Sequence, residues 1–296
     1  GVLFWHDSPN DQIALAGLRE GLTATGRPFE LVVRDADSDP ARAAGHIAEF
    51  CARPVGAIVA LGTEAARIAA AETRGIPVVF TAVTDPVNSG IVPSWKGSGS
   101  LVAGNSNHID PNRVINDFKR AVPALRALGV LSSPDNRVSR AEIEGMEAAL
   151  RERASLGIRL VRRSVAAPGD LVAAAEALLA ESDALWIPID YAVYSHIDAV
   201  AEVARRHRKP IVTTSQKVEL HATVAVLPDY HVLGMQAVEI LDRILRRGVE
   251  PGRIPVGVMQ GRLLVINLEA ARQCGVAVPI PALAAADRIV PERPRS

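Results

Sequence analysis

Short apolar strands alternate with alanine-rich amphipathic helices along most of this chain, and this alternation restricts the fold more than any other feature of the sequence. Strand-like runs are predicted at 2–5, 29–33, 56–61, 77–81, 127–131, 158–162, 184–188, 210–213 and 223–227. Helices are predicted at 11–24, 40–52, 63–73, 139–154, 169–181, 192–207 and 231–247. Because each helix carries the chain back across its sheet, the pattern predicts parallel sheets covered by helices on both faces.

The length of the chain and a break in this alternation indicate two lobes. The 296 residues exceed what one core usually holds and suit two α/β lobes of ordinary size. A strand–loop–helix–proline–strand unit occurs in each half, at 57–80 and at 184–213. The segment 82–107 is rich in glycine and proline, and it is predicted to be a long irregular segment with a functional or connecting role.

We expect each lobe to be discontinuous in sequence. The chain is predicted to cross between lobes near 105–109, 228–231 and 259–263. The predicted N-terminal lobe comprises residues 1–107 and 230–260, and the predicted C-terminal lobe comprises residues 108–229 and 261–296. Since two such lobes bury whatever they close upon, a ligand cleft is expected between them.

Polar residues follow the predicted strands at the edge where open parallel sheets bind their ligands. The candidate ligand-binding residues are His6, Asp7, Thr63, Ala82, Thr84, Asp85, Ser133, Asn136, Asp190, Tyr191, Ser215 and Asp229. Thr63 occupies a predicted helix N-cap, where free N–H groups suit a carboxylate, and Asp190 or Asp229 could meet an ammonium. These opposite charges favour an amino-acid-like solute. For each side chain the alternative, that it only caps a helix, shapes a turn or packs, stays open.

Composition excludes several other classes of protein. The chain has 33 lysine and arginine residues and 33 aspartate and glutamate residues. The sequence therefore predicts no positive electrostatic field that would attract nucleic acid or anionic lipid. No apolar run approaches the ~20 residues that a membrane-spanning helix needs. Cys51 and Cys274 are expected to be buried free thiols, although their pairing stays open. Because the chain opens directly in the apolar run 2–5, we expect that a leader segment preceded it.

No motif for cofactor or metal chemistry is found in the sequence. There is no phosphate loop and no dinucleotide-binding glycine pattern after a strand. The seven histidines lack the spacing of metal ligands. The sequence therefore predicts no catalytic residue, no metal site and no cofactor. An enzyme with an assembled site, such as Asp190 or Asp229 acting with a histidine, remains a competing hypothesis.

One run of residues resembles a known family. Residues 77–87 read P-V-V-F-T-A-V-T-D-P-V and are followed by Gly90, Ile91 and Val92. This run is similar to the signature P-I-V-F-x-A-V-T-D-P-V-x-x-G-L-V of ABC-importer substrate-binding proteins, in the branch with tryptophan- and tyrosine-binding members. Further similarities follow in the same order at 62–66, 102–106, 187–190, 229–234, 254–256, 265–271 and 275–279. The resemblance covers nearly the whole chain.

The resemblance implies a fold, a function and a set of partners. It implies a type I periplasmic-binding fold, with two doubly wound parallel-sheet lobes joined by three crossing strands. It implies a ligand held near Thr63, Ala82, Thr84, Asp85, Ser133, Asn136, Asp190 and Asp229. The expected function is the extracytoplasmic solute-binding component of an ABC importer, periplasmic or lipid-anchored, which closes on an amino-acid-like or aromatic solute. We expect a monomer that delivers this solute to a cognate membrane permease.

The sequence departs from this family pattern where the ligand would lie. Thr214, Ser215 and Gln216 stand where many relatives have a serine–glutamate pair, and Pro228 replaces a glycine-containing lead into Asp229. The pair at 6–7 matches no pattern of the family. These departures leave the identity of the ligand open. A ligand-sensing module of a signalling or regulatory protein on the same fold is the alternative function.

Overall fold

The computed structural model describes residues 1–259 and 261–291. Two compact units are present. Unit 1 comprises residues 1–108 and 228–261, and unit 2 comprises residues 109–227 with the chain from 262 onward. Residue 260 of the predicted third crossing and residues 292–296 of the predicted C-terminal lobe lie outside the described residues.

Strands and helices alternate along both units. The strands are β1 (Val2–Phe4), β2 (Val33–Asp35), β3 (Ile58–Leu61), β4 (Val78–Val83), β5 (Val102–Ser106), β6 (Ala127–Ser132), β7 (Arg159–Ser164), β8 (Ala184–Ile187), β9 (Ile211–Thr213), β10 (Val224–Leu227), β11 (Gly257–Val258), β12 (Leu263–Asn267) and β13 (Arg288–Val290). The α-helices are α1 (Pro9–Ala24), α2 (Pro40–Cys51), α3 (Thr63–Glu72), α4 (Pro111–Ala121), α5 (Arg137–Glu152), α6 (Leu171–Glu181), α7 (Tyr191–Tyr194), α8 (Ile197–His207), α9 (Tyr230–Leu245), α10 (Leu268–Gln273) and α11 (Ile280–Ala284).

Unit 1 is built on a parallel sheet buried on both faces. Its six strands lie in the order β11-β5-β4-β3-β1-β2. Successive side chains of a strand point to opposite faces, so Val2 and Phe4 pack under α1 and α9 while Leu3 packs under α2 and α3. Because both faces are covered, the inner strands β1 and β3 are apolar and buried along their whole length.

Unit 2 has a seven-stranded sheet in the order β13-β12-β10-β9-β8-β6-β7. All neighbouring pairs are parallel except β10 and β12, which are antiparallel. Phe118 of α4 and Trp186 of β8 lie in the core on one face, and α6 and α8 cover the other. The predicted fold class, two doubly wound α/β lobes, is confirmed.

Several local predictions were wrong. Residues 102–106 were predicted to be irregular, yet they form β5, an inner strand between β4 and β11. A Cβ atom at Gly104 would lie 2.3 Å from the Phe80 carbonyl oxygen, so glycine is needed where these strands meet. The strand predicted at 29–33 begins only at Val33, and the helix predicted at 192–207 is interrupted between α7 and α8. Helix α4 was not predicted at all.

The structure also bears on the expected state of the two cysteines and on whether a helix could cross a membrane. Both cysteines are free thiols, but only Cys274 is buried, because Cys51 ends α2 on an exposed side. Burial raises the pKa of the Cys274 thiol. Within the described ranges, every helix lacks either the length or the apolar character needed to cross a membrane.

Candidate functional site

The end of β4 carries backbone strain at a predicted binding residue. Ala82 has a φ of 59°, in the left-handed region, and the pairing of β4 with β5 shifts register between Phe80 and Val83. An L-residue in this region costs about 1–2 kcal/mol, which the surrounding structure must offset. As a result of the bulge, Phe80 and Val83, three residues apart, both pack into the core under α2 and α3.

Asp85 shapes the turn that follows this strand. Its Oδ1 accepts hydrogen bonds from the backbone N–H groups of Val87 at 3.2 Å and Asn88 at 3.0 Å. Its Oδ2 accepts from the Asn88 side chain. The carbonyl of Thr84 accepts from the Ser106 hydroxyl at 2.8 Å, which joins the loop to β5. The turn-forming alternative therefore describes the contacts of Asp85 in this structure.

The other unit 1 candidates lie at the starts of helices. The N-cap of α3 is Gly62, with no side-chain cap, and Thr63 is the first helical residue, so the predicted N-cap was placed one residue too late. His6 and Asp7 are exposed in the loop before α1, where Asp7 accepts a hydrogen bond from Gln12 at 2.6 Å. Asp229 caps α9 by accepting from the Val232 N–H at 3.1 Å.

A polar cluster, most of which sequence reasoning did not select, lies beneath the first turns of α1 and α9. Its members are Asp11, Thr81, Asn105, Asn107 and Tyr230. Asn107 donates to the Tyr230 hydroxyl at 3.4 Å, and Asn105 donates to the Leu233 carbonyl of α9 at 2.9 Å. Burial raises the pKa values of Asp11 and Tyr230 above their usual ranges. A signal was present for two of them, since Thr81 ends the predicted strand at 77–81 and Tyr230 follows the predicted strand at 223–227.

In unit 2, Asp190 joins the ends of two strands to a helix. The side chain is completely buried after β8. It accepts hydrogen bonds from the backbone N–H of Ser133 at 2.7 Å, from the Ser133 hydroxyl at 3.0 Å and from the Ser139 hydroxyl at 2.9 Å. Asn136 caps α5 by accepting from the N–H groups of Val138 and Ser139. The structure thus brings Ser133, Asn136 and Asp190 together after β6 and β8, where they make hydrogen bonds within the protein.

Glu142 is a second carboxylate at this edge of the sheet that the sequence analysis did not select. Its Oε2 accepts from the Ile189 N–H at 2.8 Å, and the Thr214 hydroxyl also bonds to it. Burial, with a smaller contribution from the Asp190 charge, raises the pKa of Glu142 to about 7. Glu142 follows Ser139 by three residues on α5, so one face of this helix presents both to the strand ends.

The last two unit 2 candidates differ in exposure. Tyr191 is 70% exposed and meets Tyr194 edge to face, with ring centroids 5.6 Å apart. Ser215 is buried, and its N–H donates to the Thr213 hydroxyl at 2.9 Å. The Tyr191 side chain is therefore open to solvent, whereas the backbone N–H of Ser215 holds the chain after β9. Across residues 1–259 and 261–291, no group of three or more His, Cys, Asp or Glu side chains is arranged to hold a metal ion.

A family model for ABC transporter substrate-binding proteins matches residues 2–290. This chain belongs to that family. The match runs through both sheets and includes every predicted binding residue. It confirms the family that the run at 77–92 had indicated, and the coarser expectation that the fold is one of binding proteins rather than of enzymes.

Similar proteins add detail to this family assignment. A tyrosine-binding protein of Clostridioides difficile strain R20291 is 26% identical over 211 residues, which span 71% of this chain and 60% of that protein. A domain from Streptococcus pneumonia solved in complex with L-tryptophan is 25% identical, with a TM-score of 0.71 and coverage of 98% of this chain and 99% of that one.

A ligand-free, open substrate-binding protein with adhesive properties from Clostridium difficile has a similar fold. That structure is 21% identical, has a TM-score of 0.87 and covers 99% of both chains. These likenesses confirm the predicted type I periplasmic-binding fold for this family member.

Proposed function

We propose that this substrate-binding protein is the extracytoplasmic solute-binding component of an ABC importer, and that its solute is amino-acid-like with an aromatic side chain. The family match over residues 2–290 carries the proposal. The tryptophan complex and the tyrosine-binding relative support the solute class. The partner that receives the solute is a membrane permease, and the protein acts in the periplasm or on a lipid anchor.

The chemistry of the strand ends supports this solute class. Acceptors lie at the carboxyl ends of the strands in each unit: the buried Asp11 and Asn107 in unit 1, and the half-buried Glu142 in unit 2. The N–H groups at the start of α3 suit a carboxylate. We propose that both units contribute contacts to one solute held between them, and that hinge closure buries it.

Binding without chemical change is the second part of the proposal. The candidate residues are engaged in caps, turns and hydrogen bonds to other side chains rather than paired as nucleophile and base. We therefore expect a bound solute to be released unaltered. Mass spectrometry of the solute after prolonged incubation checks this, and a new product would favour an enzyme instead.

A thermal-shift screen tests the proposed solute class. The panel contains the twenty amino acids, indole and the deaminated acids of tryptophan and tyrosine. A ligand that binds only the folded protein, at ~100 times its dissociation constant, adds about 2.7 kcal/mol of stability, which raises the melting temperature by several degrees. We expect the largest shift with L-tryptophan or L-tyrosine. A large shift with sugars alone, added as a control class, would contradict the proposed solute.

A further inference from the structure

We infer that Asp11, Asn107 and Tyr230 form the subsite that receives the primary ammonium group of the solute. The inference rests on the proposed function, because it names the part of that solute which these residues contact. It also replaces the earlier expectation that Asp190 or Asp229 meets the ammonium.

The three residues converge from separate segments of unit 1. Asp11 lies in the first turn of α1, directly after β1. Asn107 follows β5, and Tyr230 begins α9. The Tyr230 hydroxyl accepts from the Asn107 amide at 3.4 Å and is also bonded to the Asn10 side chain, next to Asp11. All three therefore lie at the carboxyl edge of the sheet, where this fold binds ligands.

Unused acceptors mark this cluster as a site rather than as part of the core. Asn107 is 6% exposed, and its Oδ1 has no hydrogen-bond partner among the described residues. The same is true of Oδ1 of Asn105, which is 1% exposed on the same face of β5. A buried carbonyl oxygen without a donor is costly, so a donor from outside the protein is expected to satisfy it.

The negative charge of Asp11 indicates that this external donor is positively charged. Asp11 is 7% exposed, and Ser8 donates to its Oδ2 at 2.7 Å. Unpaired amide oxygens beside a buried carboxylate accept hydrogen bonds, and an ammonium has three donors and a compensating charge. A solute carboxylate would be repelled here. The ammonium of an amino acid is thus the group that fits.

The acidic residues considered first are committed elsewhere. Asp190 is completely buried and accepts from Ser133 and Ser139. Asp229 uses Oδ1 to cap α9. The Asp190 carboxylate is thus shared among donors of unit 2, and one oxygen of Asp229 is committed to the start of α9.

Calorimetric titration of the full chain tests the inference. The probes are L-tryptophan and L-tyrosine, each compared with its deaminated analogue, 3-indolepropionate or 3-(4-hydroxyphenyl)propionate. Asp11→Asn keeps the size of the side chain but removes its charge, and we expect at least tenfold weaker binding of the amino acids. Binding of the deaminated analogues should change by less than about threefold, because they lack the ammonium.

Two further variants separate this role from a structural one. Glu20→Gln removes a charge from the exposed side of the same helix, α1, where Glu20 contacts His231, and should leave both affinities unchanged. Asn107→Asp adds a carboxylate to the cluster and should favour the amino acid over its deaminated analogue by a larger ratio than in the unmodified protein. Thermal melting of each variant without ligand verifies that it is folded.

The outcomes distinguish the inference from the proposed function. If the unmodified protein binds none of the amino acids, the proposed function fails. If it binds them and Asp11→Asn binds them as tightly as Glu20→Gln does, the inference alone is overturned. Equal losses for the amino acids and their deaminated analogues in Asp11→Asn would also overturn it, because that result describes a general disturbance of the site.

Discussion

Replacing Gly234 by alanine tests how helices α1 and α9 are held together. These two helices pack closely enough that a Cβ atom at Gly234 would lie 1.9 Å from the Ala14 carbonyl oxygen and 2.7 Å from the Leu18 nitrogen. The reciprocal contact is as tight, since a Cβ at Gly17 would lie 2.0 Å from the His231 carbonyl oxygen. These are backbone atoms, so no change of rotamer relieves the clash, and the helices must separate by about 1 Å to restore normal contact.

The magnitude follows from two opposing terms. Alanine is favoured over glycine inside a helix by about 1 kcal/mol. Forcing a methyl group into a closely packed contact costs about 1–3 kcal/mol, and separating α1 from α9 adds the loss of contacts such as those of Leu18 with the core. We expect Gly234→Ala to lower the free energy of unfolding of unit 1 by about 2 kcal/mol.

Gly45 of α2 provides a matched control. A Cβ atom there meets nothing within 4 Å, so only the helix propensity changes, and Gly45→Ala should be stabilising by up to about 1 kcal/mol. Urea denaturation followed by circular dichroism gives the midpoints, and hydrogen exchange of peptides from α9 reports on unit 1 alone. Equal stability of the two variants would refute the packing argument. Since α1 and α9 carry Asp11 and Tyr230, Gly234→Ala should also weaken solute binding.

Two further predictions concern unit 2. Asp190→Asn removes the charge that three donors share and turns an amide N–H₂ group toward at least one of them. We therefore expect the free energy of unfolding to fall by about 2–4 kcal/mol. Urea titration measures this change, and a change below about 0.5 kcal/mol would contradict the structural role of Asp190. Glu142 has a pKa near 7 in the folded state, above its ordinary value of 4.5, so its contribution to stability is present below about pH 4.5 and is lost as pH rises through 7. Relative to Glu142→Gln, the unmodified protein should therefore lose up to about 3 kcal/mol of stability between pH 4.5 and 8, and a difference independent of pH would show that the carboxyl is not desolvated.

The predicted site residues divide according to how local their contacts are. Asn136, Asp229 and Asp85 were identified from the residue types that follow strands, and the hydrogen bonds of their side chains lie within three residues of them. Caps and turns can be predicted because they depend on neighbours in sequence. Glu142 was missed because its contact with Ile189 joins positions 47 residues apart, and nothing in the local pattern of α5 indicates it.

The sequence by itself determined the alternation of strands and helices, the two-lobed class and the family. These features depend on local properties of the chain: the spacing of apolar residues, the positions of glycine and proline, and the run at 77–92. It did not determine β5, whose polar residues become an inner strand only because Gly104 fits against Phe80. Tertiary structure alone decided the states of the buried acids. Desolvation raises the pKa values of Asp11 and Glu142, and Asp190 gains its donors from Ser133 and Ser139, more than fifty residues away. Burial and long-range hydrogen bonds exist only after the strands have assembled, and for that reason the sequence did not reveal which of the carboxylates remain available to a solute.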